Sequence, residues 1–207
     1  MLGPQGMILL AEGLDKDFPQ LLHLHLNKNK LGDDGARALS NAMIDQKRLV
    51  SISIEQNDIH AVGLSCIAAV LHRCPNISQL HFDENPFGDD GIVILGTQMR
   101  RCPSLIWVSL ADANIGDEGA SAIAGVLPYC GSLQKLDLEA NDISKDVVEV
   151  LKRNRGPSLR MLRFDQPTNE EEIRRLPRDE RPNDQRKGGV HVPESPSTNQ
   201  SRSIFCW

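Results

Sequence analysis

The residues from Leu21 to Ala42, LLHLHLNKNKLGDDGARALSNA, decide the fold of this chain. Leu24 and Leu26 alternate with polar residues, which is the spacing of a strand that buries one face. After the turn, the apolar residues stand three or four positions apart as far as Ala42, which places them on one face of a helix. The stretch therefore predicts a strand, a turn and a helix in that order.

The same pattern returns every 28 residues. Complete units begin at residues 21, 49, 77, 105 and 133, and residues 6–14 match the helical half of an earlier unit. A sixth strand, from Leu159 to Phe164, begins 26 residues after the fifth unit and has no repeat helix behind it. A fixed period of this length is the signature of a solenoid, in which each unit packs only on its neighbours.

The chain divides into three segments on this basis. Residues 1–20 are predicted to form a half repeat or cap helix, and residues 21–164 the solenoid itself. Residues 165–207 lose the periodicity and are rich in charge and proline, so they are predicted to be a disordered polar tail. Two further interpretations stay open: a short docking motif from Ile204 to Trp207, and a truncated repeat protein that starts inside a unit.

One polar position recurs in the turn after each strand. It holds Asn29, Asn57, Asn85 and Asn141, which we interpret as a structural ladder whose amides satisfy backbone groups inside the stack. Ala113 stands there in the fourth unit, and we expect that turn to be locally rearranged.

A second polar position, just before each helix, holds Asp33, Asp89 and Asp117. A carboxylate there accepts hydrogen bonds from free helix amides and favours the positive end of the helix. Each aspartate is therefore predicted to cap its own helix. His60 and Ala61 replace Gly-Asp in the second unit, which is expected to weaken that helix start.

The pattern LxxLxLxxNxLGDxGAxxLxxA, carried most fully by residues 21–42, resembles the ribonuclease-inhibitor-like leucine-rich repeat family. The resemblance implies an α/β leucine-rich-repeat solenoid, a horseshoe arc with parallel strands on the concave side and helices on the convex side. Such proteins serve mainly as protein-binding surfaces, and they include inhibitors, sensor regions of NOD-like receptors and the Ran GTPase-activating protein. The implied function is a non-catalytic interaction module or scaffold, with a regulator of a small GTPase as the alternative.

The residues between the buried strand positions are predicted to face the concave surface. From them we select a candidate partner-binding set: His25, Glu55, Gln79, His81, Asp83, Trp107, Ser109, Asp137 and Glu139. Trp107 is the sharpest member because large aromatic residues are enriched among interface hot spots. Burial of its ring against a neighbouring strand is the open alternative.

The carboxylates of this surface fall into columns. One column holds Glu55, Asp83, Glu139 and Asp165, and the next holds Glu84 and Asp112. An acidic inner surface of this kind predicts a protein partner with a basic surface. An ordinary solvated face is the alternative.

Other classes of function find little support in the residues. Cys74, Cys102 and Cys130 are 28 residues apart and are interpreted as small buried loop residues, since no paired C-x-x-C unit marks a zinc site. His25 and His81 lie two strands apart, roughly 10 Å, which is too far for one metal ion. No catalytic triad or phosphate loop is present, so no enzyme activity, cofactor or metal is expected.

The composition sets the expected location and partners. The 207 residues carry a net charge of -5, which disfavours nucleic acid as the main ligand. The sequence has neither a signal peptide nor an apolar run of membrane-spanning length. The chain is therefore expected to be cytoplasmic, with the nucleus as the open alternative, and to act on neither nucleic acid nor membranes.

Overall fold

The computed structural model describes residues 1–18, 20–164 and 203–205. Within these residues, helices and short strands alternate as the repeat predicts. The helices are α1 Gly3–Asp17, α2 Gly32–Met43, α3 Ala61–Leu71, α4 Gly88–Met99, α5 Asp117–Val126 and α6 Lys145–Arg153. The strands are β1 His23–His25, β2 Ser51–Ser53, β3 Gln79–His81, β4 Trp107–Ser109, β5 Lys135–Asp137, β6 Met161–Arg163 and β7 Ser203–Phe205.

The strands form one parallel sheet in the order β6-β5-β4-β3-β2-β1-β7. Paired residues are 28 apart in sequence, as between His23 and Ser51, and 26 apart between Lys135 and Met161. Neighbouring helices pack against one another along the same stack. The predicted α/β solenoid is confirmed, with the strands on its concave side and the helices on its convex side.

The far C-terminal residues add one strand to this sheet. Ser203–Phe205 form β7, which pairs in parallel with β1. The predicted disordered tail covered these three residues, and here the structure differs from it. The remainder of the tail, 165–202 and 206–207, lies outside the described residues.

Aliphatic layers between sheet and helices form the core. Leu24 and Leu26 of the first repeat are 1% and 0% exposed. Leu39 of α2 is 0% exposed and belongs to the same core cluster. The equivalent residues of the next repeats are buried in the same way. Each buried side chain of this size contributes about 1.5–3 kcal/mol through removal of apolar surface from water.

The asparagine ladder is the polar counterpart of this core. The fully buried amide nitrogen Nδ2 of Asn57 donates to the carbonyl oxygens of Leu26 and Ile54, both at 2.8 Å, and of Glu55 at 3.0 Å. Its Oδ1 accepts from the amide of Asn29 at 3.1 Å. Since these groups belong to two repeats, one side chain joins neighbouring turns across the stack. Asn85 and Asn141 make the corresponding contacts.

The turn at Ala113 keeps the backbone of the first two repeats. Asp112 and Asn114 have φ angles of 51° and 56°, against 54° and 57° at the equivalent residues of the second repeat. The amide of Ala113 still donates to Asn141 Oδ1 at 3.0 Å. The rearrangement predicted for this turn is therefore not present in its backbone.

The missing asparagine changes the preceding turn instead. In other repeats the amide two residues after the ladder position donates to the next asparagine, as Ile59 does to Asn85 Oδ1 at 3.2 Å. The amide of Phe87 instead donates to the carbonyl oxygen of Asn85 at 2.7 Å, within its own repeat. Ala113 removes the acceptor that Phe87 would otherwise use, and Pro86 at the centre of this tight turn also fixes the local backbone.

The aspartates cap the next helix in the stack, and the prediction that each caps its own is wrong. Asp33 lies in α2, yet its Oδ1 accepts from the amides of His60 at 2.8 Å and Gly63 at 2.9 Å, at the start of α3. Asp89 Oδ1 accepts in the same way from Gly116 at 2.7 Å, at the start of α5. The free amides of one helix are thus satisfied from the preceding repeat.

Glycine in the motif makes room for this contact. A Cβ atom at Gly119 would lie 2.6 Å from Asp89 Oδ1, so a side chain there would push the carboxylate away. The sequence Gly-Asp-x-Gly therefore joins two repeats: its aspartate caps the following helix, and its second glycine accepts the aspartate of the preceding one.

The replacement of Gly-Asp at His60 and Ala61 affects a different helix from the one expected. The start of α3 is capped by Asp33 from the repeat before. Ala61 has no carboxylate to offer α4, and α4 begins at Gly88, whose φ is 64° and whose amide donates to the carbonyl oxygen of Ala113 at 3.2 Å. The left-handed φ at this start favours glycine.

Replacing Asp89 with alanine should lower the free energy of unfolding by about 1 kcal/mol, because the start of α5 loses its cap. For a chain of this size, that corresponds to a fall in melting temperature of about 2–4 °C. Asp90→Ala is the matched control, since the exposed Asp90 shares the first turn of α4. Equal losses in the two variants, measured by thermal unfolding, would contradict capping between repeats.

Candidate functional site

Three rows of side chains define the concave face. The first row, at the start of the strands, holds His23, Ser51, Gln79, Trp107, Lys135 and Met161. The second row holds His25, Ser53, His81, Ser109, Asp137 and Arg163. The third row, just after the strands, holds Asn27, Glu55, Asp83, Ala111 and Glu139. The nine sequence-selected residues all lie in these rows.

Trp107 lies between two polar neighbours and is partly exposed. Its ring meets the ring of His81 edge-on, with centroids 4.6 Å apart and an interplanar angle of 75°. The ammonium group of Lys135 lies 4.6 Å from the centroid of the Trp107 ring. The ring of Trp107 thus packs against residues of the neighbouring strands and also presents part of its surface to solvent. A cation so placed over an indole is attracted to its π system.

The serines of the second row are buried rather than displayed. Ser53 is 3% exposed and Ser109 is 5% exposed. The hydroxyl of Ser109 donates to Asp83 Oδ1 at 2.6 Å, and the Ala111 amide donates to the same oxygen at 2.7 Å. Ser109 therefore orients Asp83, and it offers a partner little surface of its own.

Asn27 makes the equivalent contacts in the first pair of repeats. Its Oδ1 accepts from the hydroxyl of Ser53 at 2.7 Å and from the amide of Glu55 at 2.8 Å. Asn27 was not among the residues selected from the sequence. Its role could have been predicted from the sequence, because short polar side chains recur in the third row, at Asn27 and Asp83.

The acidic character of the concave face is uneven. Arg163 Nη1 lies 3.2 Å from Asp137 Oδ2 and 3.8 Å from Glu139 Oε2, so these two carboxylates are paired. The hydrogen bond to Asp137, and then the charge of Glu139, raise the pKa of Arg163. The sequence had predicted that Asp137 and Glu139 bind the partner protein. The remaining acidic column residue, Asp165, lies outside the described residues.

Three selected residues meet on a diagonal across β2 and β3. Glu55, His81 and Asp83 are each partly exposed, and one potential ligand atom from each lies within 4.8 Å of the others. The expectation of no metal site rested on the absence of C-x-x-C pairs and on the distance between His25 and His81, which lie in one row. The proximity of Glu55 to His81 was therefore missed. It could have been predicted from the sequence, because Glu55 stands two residues after Ser53, which pairs with His81.

The turns beyond the third row continue the negative charge. A shallow groove over these turns is lined by Gln56, Glu84, Pro86, Asp112, Asn114, Ala140, Asn141 and Asp142. Glu84 is exposed and accepts a hydrogen bond from Gln56 Nε2. The predicted second acidic column, Glu84 and Asp112, thus lies at the rim of the concave face.

The three cysteines that recur every 28 residues are buried, as predicted. Cys74, Cys102 and Cys130 are 1%, 7% and 6% exposed, and each is free. Burial raises the pKa of the Cys74 and Cys102 thiols to about 11, and it also raises the pKa of Cys130. Neutral thiols in such surroundings are poor nucleophiles and poor metal ligands.

Among the described residues, the helices contain no segment long and apolar enough to cross a membrane.

His25, in the second row, has a lowered pKa. The main cause is burial, followed by the charges of His23 and His81, while Glu55 raises the pKa. The folded chain thus resists protonation at His25. The unfolded chain binds this proton more readily, so stability falls as pH drops below the ordinary value of 6.5.

An NMR titration of the histidine ring signals should place the pKa of His25 below 6.5. His23→Asn should raise that pKa, since it removes a neighbouring positive charge, whereas Glu55→Gln should lower it. His60→Asn serves as the control because His60 lies outside this face. A His25 pKa at or above 6.5, or one indifferent to both substitutions, would contradict the described surroundings.

Residues 19–40 and 101–124 match the family model described as Leucine Rich repeat. Among solved structures, the chain is similar to "Leiomodin-1 Actin-Binding Site 2 (ABS2)", with a TM-score of 0.60 and 17% identity over 70% of this chain and 86% of that one. It is also similar to the tropomodulin C-terminal domain of Caenorhabditis elegans, with a TM-score of 0.59 and 16% identity over 72% of this chain and 92% of that one. No curated protein matches the chain in sequence. These likenesses support a leucine-rich repeat protein with an α/β solenoid fold, while the ribonuclease-inhibitor-like subtype stays a prediction.

Proposed function

We propose that this chain is a non-catalytic binding module that holds another protein on its concave face. The observation that carries the proposal is the partly exposed Trp107 at the centre of the first row, between His81 and Lys135. A large aromatic side chain in a polar surrounding is the residue type that most often dominates an interface. The repeat architecture supports the proposal, since solenoids of this kind present extended binding surfaces.

The charge of the surface favours a partner with basic groups. Glu55 and Asp83 lie in the third row, after β2 and β3, and Glu84 and Asp112 extend the negative charge along the rim. Arg163 offsets some of this charge near β6. We therefore place the basic region of the partner over β2 to β4, where charge complementarity would speed encounter and fix orientation.

Actin is the first named partner to test. One of the two similar structures is described as an actin-binding site of leiomodin-1. At 17% identity that likeness concerns the fold, so actin enters as a hypothesis about this chain. Co-sedimentation with filamentous actin tests it directly, and a chain that stays in the supernatant at micromolar concentrations excludes filamentous actin as the partner.

The cytoplasm is the proposed setting. The described cysteines, Cys66, Cys74, Cys102 and Cys130, are all free. Free thiols agree with a reducing compartment.

The binding face is tested with two concave variants and two matched convex ones. Trp107→Ala and Glu55→Lys change the concave face, whereas Ile94→Ala on α4 and Glu118→Lys on α5 change exposed residues of the helical side. Asp83 is left intact because it holds the turn at Ala111. Proteins captured from extract by the wild-type chain are quantified for each variant, after thermal unfolding has shown that all are folded.

We expect the concave variants to lose the main partner by about tenfold or more, which is the range of a hot-spot substitution. The convex variants should retain it. Loss caused by Ile94→Ala or Glu118→Lys, with binding intact in the concave pair, would assign the partner to the helices. Acceleration of GTP hydrolysis by a small GTPase would replace the non-catalytic proposal with the regulatory alternative.

A further inference from the structure

Glu55, His81 and Asp83 form a compact mixed set of metal-ligand types. A carboxylate oxygen of Glu55, a ring nitrogen of His81 and a carboxylate oxygen of Asp83 lie within 4.8 Å of one another. The set combines an imidazole with two carboxylates, so it differs from a cluster of acidic side chains alone. Imidazole and carboxylate together suit first-row transition ions and zinc.

The carboxylate of Asp83 is held in place by groups behind it. Its Oδ1 accepts from Ser109 Oγ at 2.6 Å and from the Ala111 amide at 2.7 Å, which leaves Oδ2 for a metal ion. Such hydrogen bonds orient a ligand and raise its affinity for metal. Glu55 Oε1 lies 3.0 Å from the hydroxyl of Ser53, but that hydroxyl has one proton and donates it to Asn27 Oδ1 at 2.7 Å, so the carboxylate of Glu55 can still turn.

His81 is fixed from the other side. Its ring packs edge-on against Trp107, with centroids 4.6 Å apart. A ring nitrogen of His81 lies within 4.8 Å of one carboxylate oxygen each of Glu55 and Asp83.

We infer that Glu55, His81 and Asp83 form a binding site for one divalent transition ion, of which Zn²⁺ is the reference. Zinc holds nitrogen and oxygen ligands at about 2.0–2.2 Å, so neighbouring ligand atoms stand roughly 3.4 Å apart in a tetrahedral site. Binding would close the set from 4.8 Å to that spacing by rotation of the Glu55 side chain, whose carboxylate is not held. Three protein ligands leave the fourth position to water, on the open concave side.

Trp107 supplies a reporter for this site. The chain has two tryptophans, Trp107 and Trp207, so Trp207→Phe leaves Trp107 as the single source of tryptophan fluorescence. The same background carries Cys66→Ser, which removes a partly exposed thiol, and Cys206→Ser, so that neither thiol competes for metal. Co²⁺, which quenches nearby indole fluorescence, is titrated into the full chain, and Zn²⁺ is then added as a competitor.

The expected result is saturable quenching with one Co²⁺ per chain, reversed by Zn²⁺. Glu55→Gln and His81→Gln should each weaken this binding by at least about tenfold, as expected when a group of the coordination shell is lost. Glu84→Gln and His60→Gln are the matched controls, since each alters the same residue type outside the three ligands. Thermal unfolding without metal checks that every variant is folded.

Several results would overturn the inference. Quenching that does not saturate, or that is equal in Glu55→Gln, His81→Gln and the two controls, would show adventitious ion binding to an ordinary polar surface. A response to Ca²⁺ with none to Zn²⁺ would contradict the ion class. The inference does not depend on the proposed protein partner, since the assay contains only the chain and the metal.

Discussion

The side-chain amide of each ladder asparagine joins two repeats, and the rest of the molecule depends on this interaction. Asn57 bonds backbone groups of its own turn and of the preceding one while fully buried. Leaving such groups without partners inside the stack would cost about 1–3 kcal/mol each. The ladder amides therefore join β1 to β2, β2 to β3 and β4 to β5 at a 28-residue register, which aligns the concave residues in rows. The pair of β3 and β4, where Ala113 replaces the asparagine, keeps this register between two repeats so joined.

Sequence periodicity was sufficient for the fold because it repeats the same local choices many times. Alternation at Leu24 and Leu26 predicted the strand, and the spacing from Ala36 to Leu39 predicted the helix; both lie where expected. The concave rows followed from the same alternation. Local patterns carry these features because strand and helix spacing are properties of consecutive residues.

Interactions between repeats could not be read in the same way. The cap that Asp89 gives to Gly116 spans 27 residues, and the ion pair between Asp137 and Arg163 spans 26. From the sequence, Asp89 was assigned to its own helix and Asp137 to a partner protein, because their neighbours in the next repeat are distant in sequence. The same limit hid the diagonal contact of His81 with Glu55, since within-row comparison looked only along one line of the sheet.

Polar residues of the concave face serve stability and recognition together. Asp83 holds Ser109 and Ala111 while it contributes negative charge, so its loss would affect the turn and the surface at once. Trp107 and Glu55 are better positions for testing recognition. Neither side chain holds a turn through a described hydrogen bond to the backbone, so a substitution there changes the surface and leaves the turn in place. The buried serines show that facing the concave side does not by itself mean exposure.

Hydroxyl-radical footprinting of the chain with and without its captured partner tests most directly whether the concave face is the working surface. A partner on the concave face should protect Trp107 from oxidation. Tyr129, which is 70% exposed and lies outside the three rows, should react as before. Protection of Tyr129 with unchanged oxidation of Trp107 would contradict the account and place the binding surface elsewhere on the solenoid.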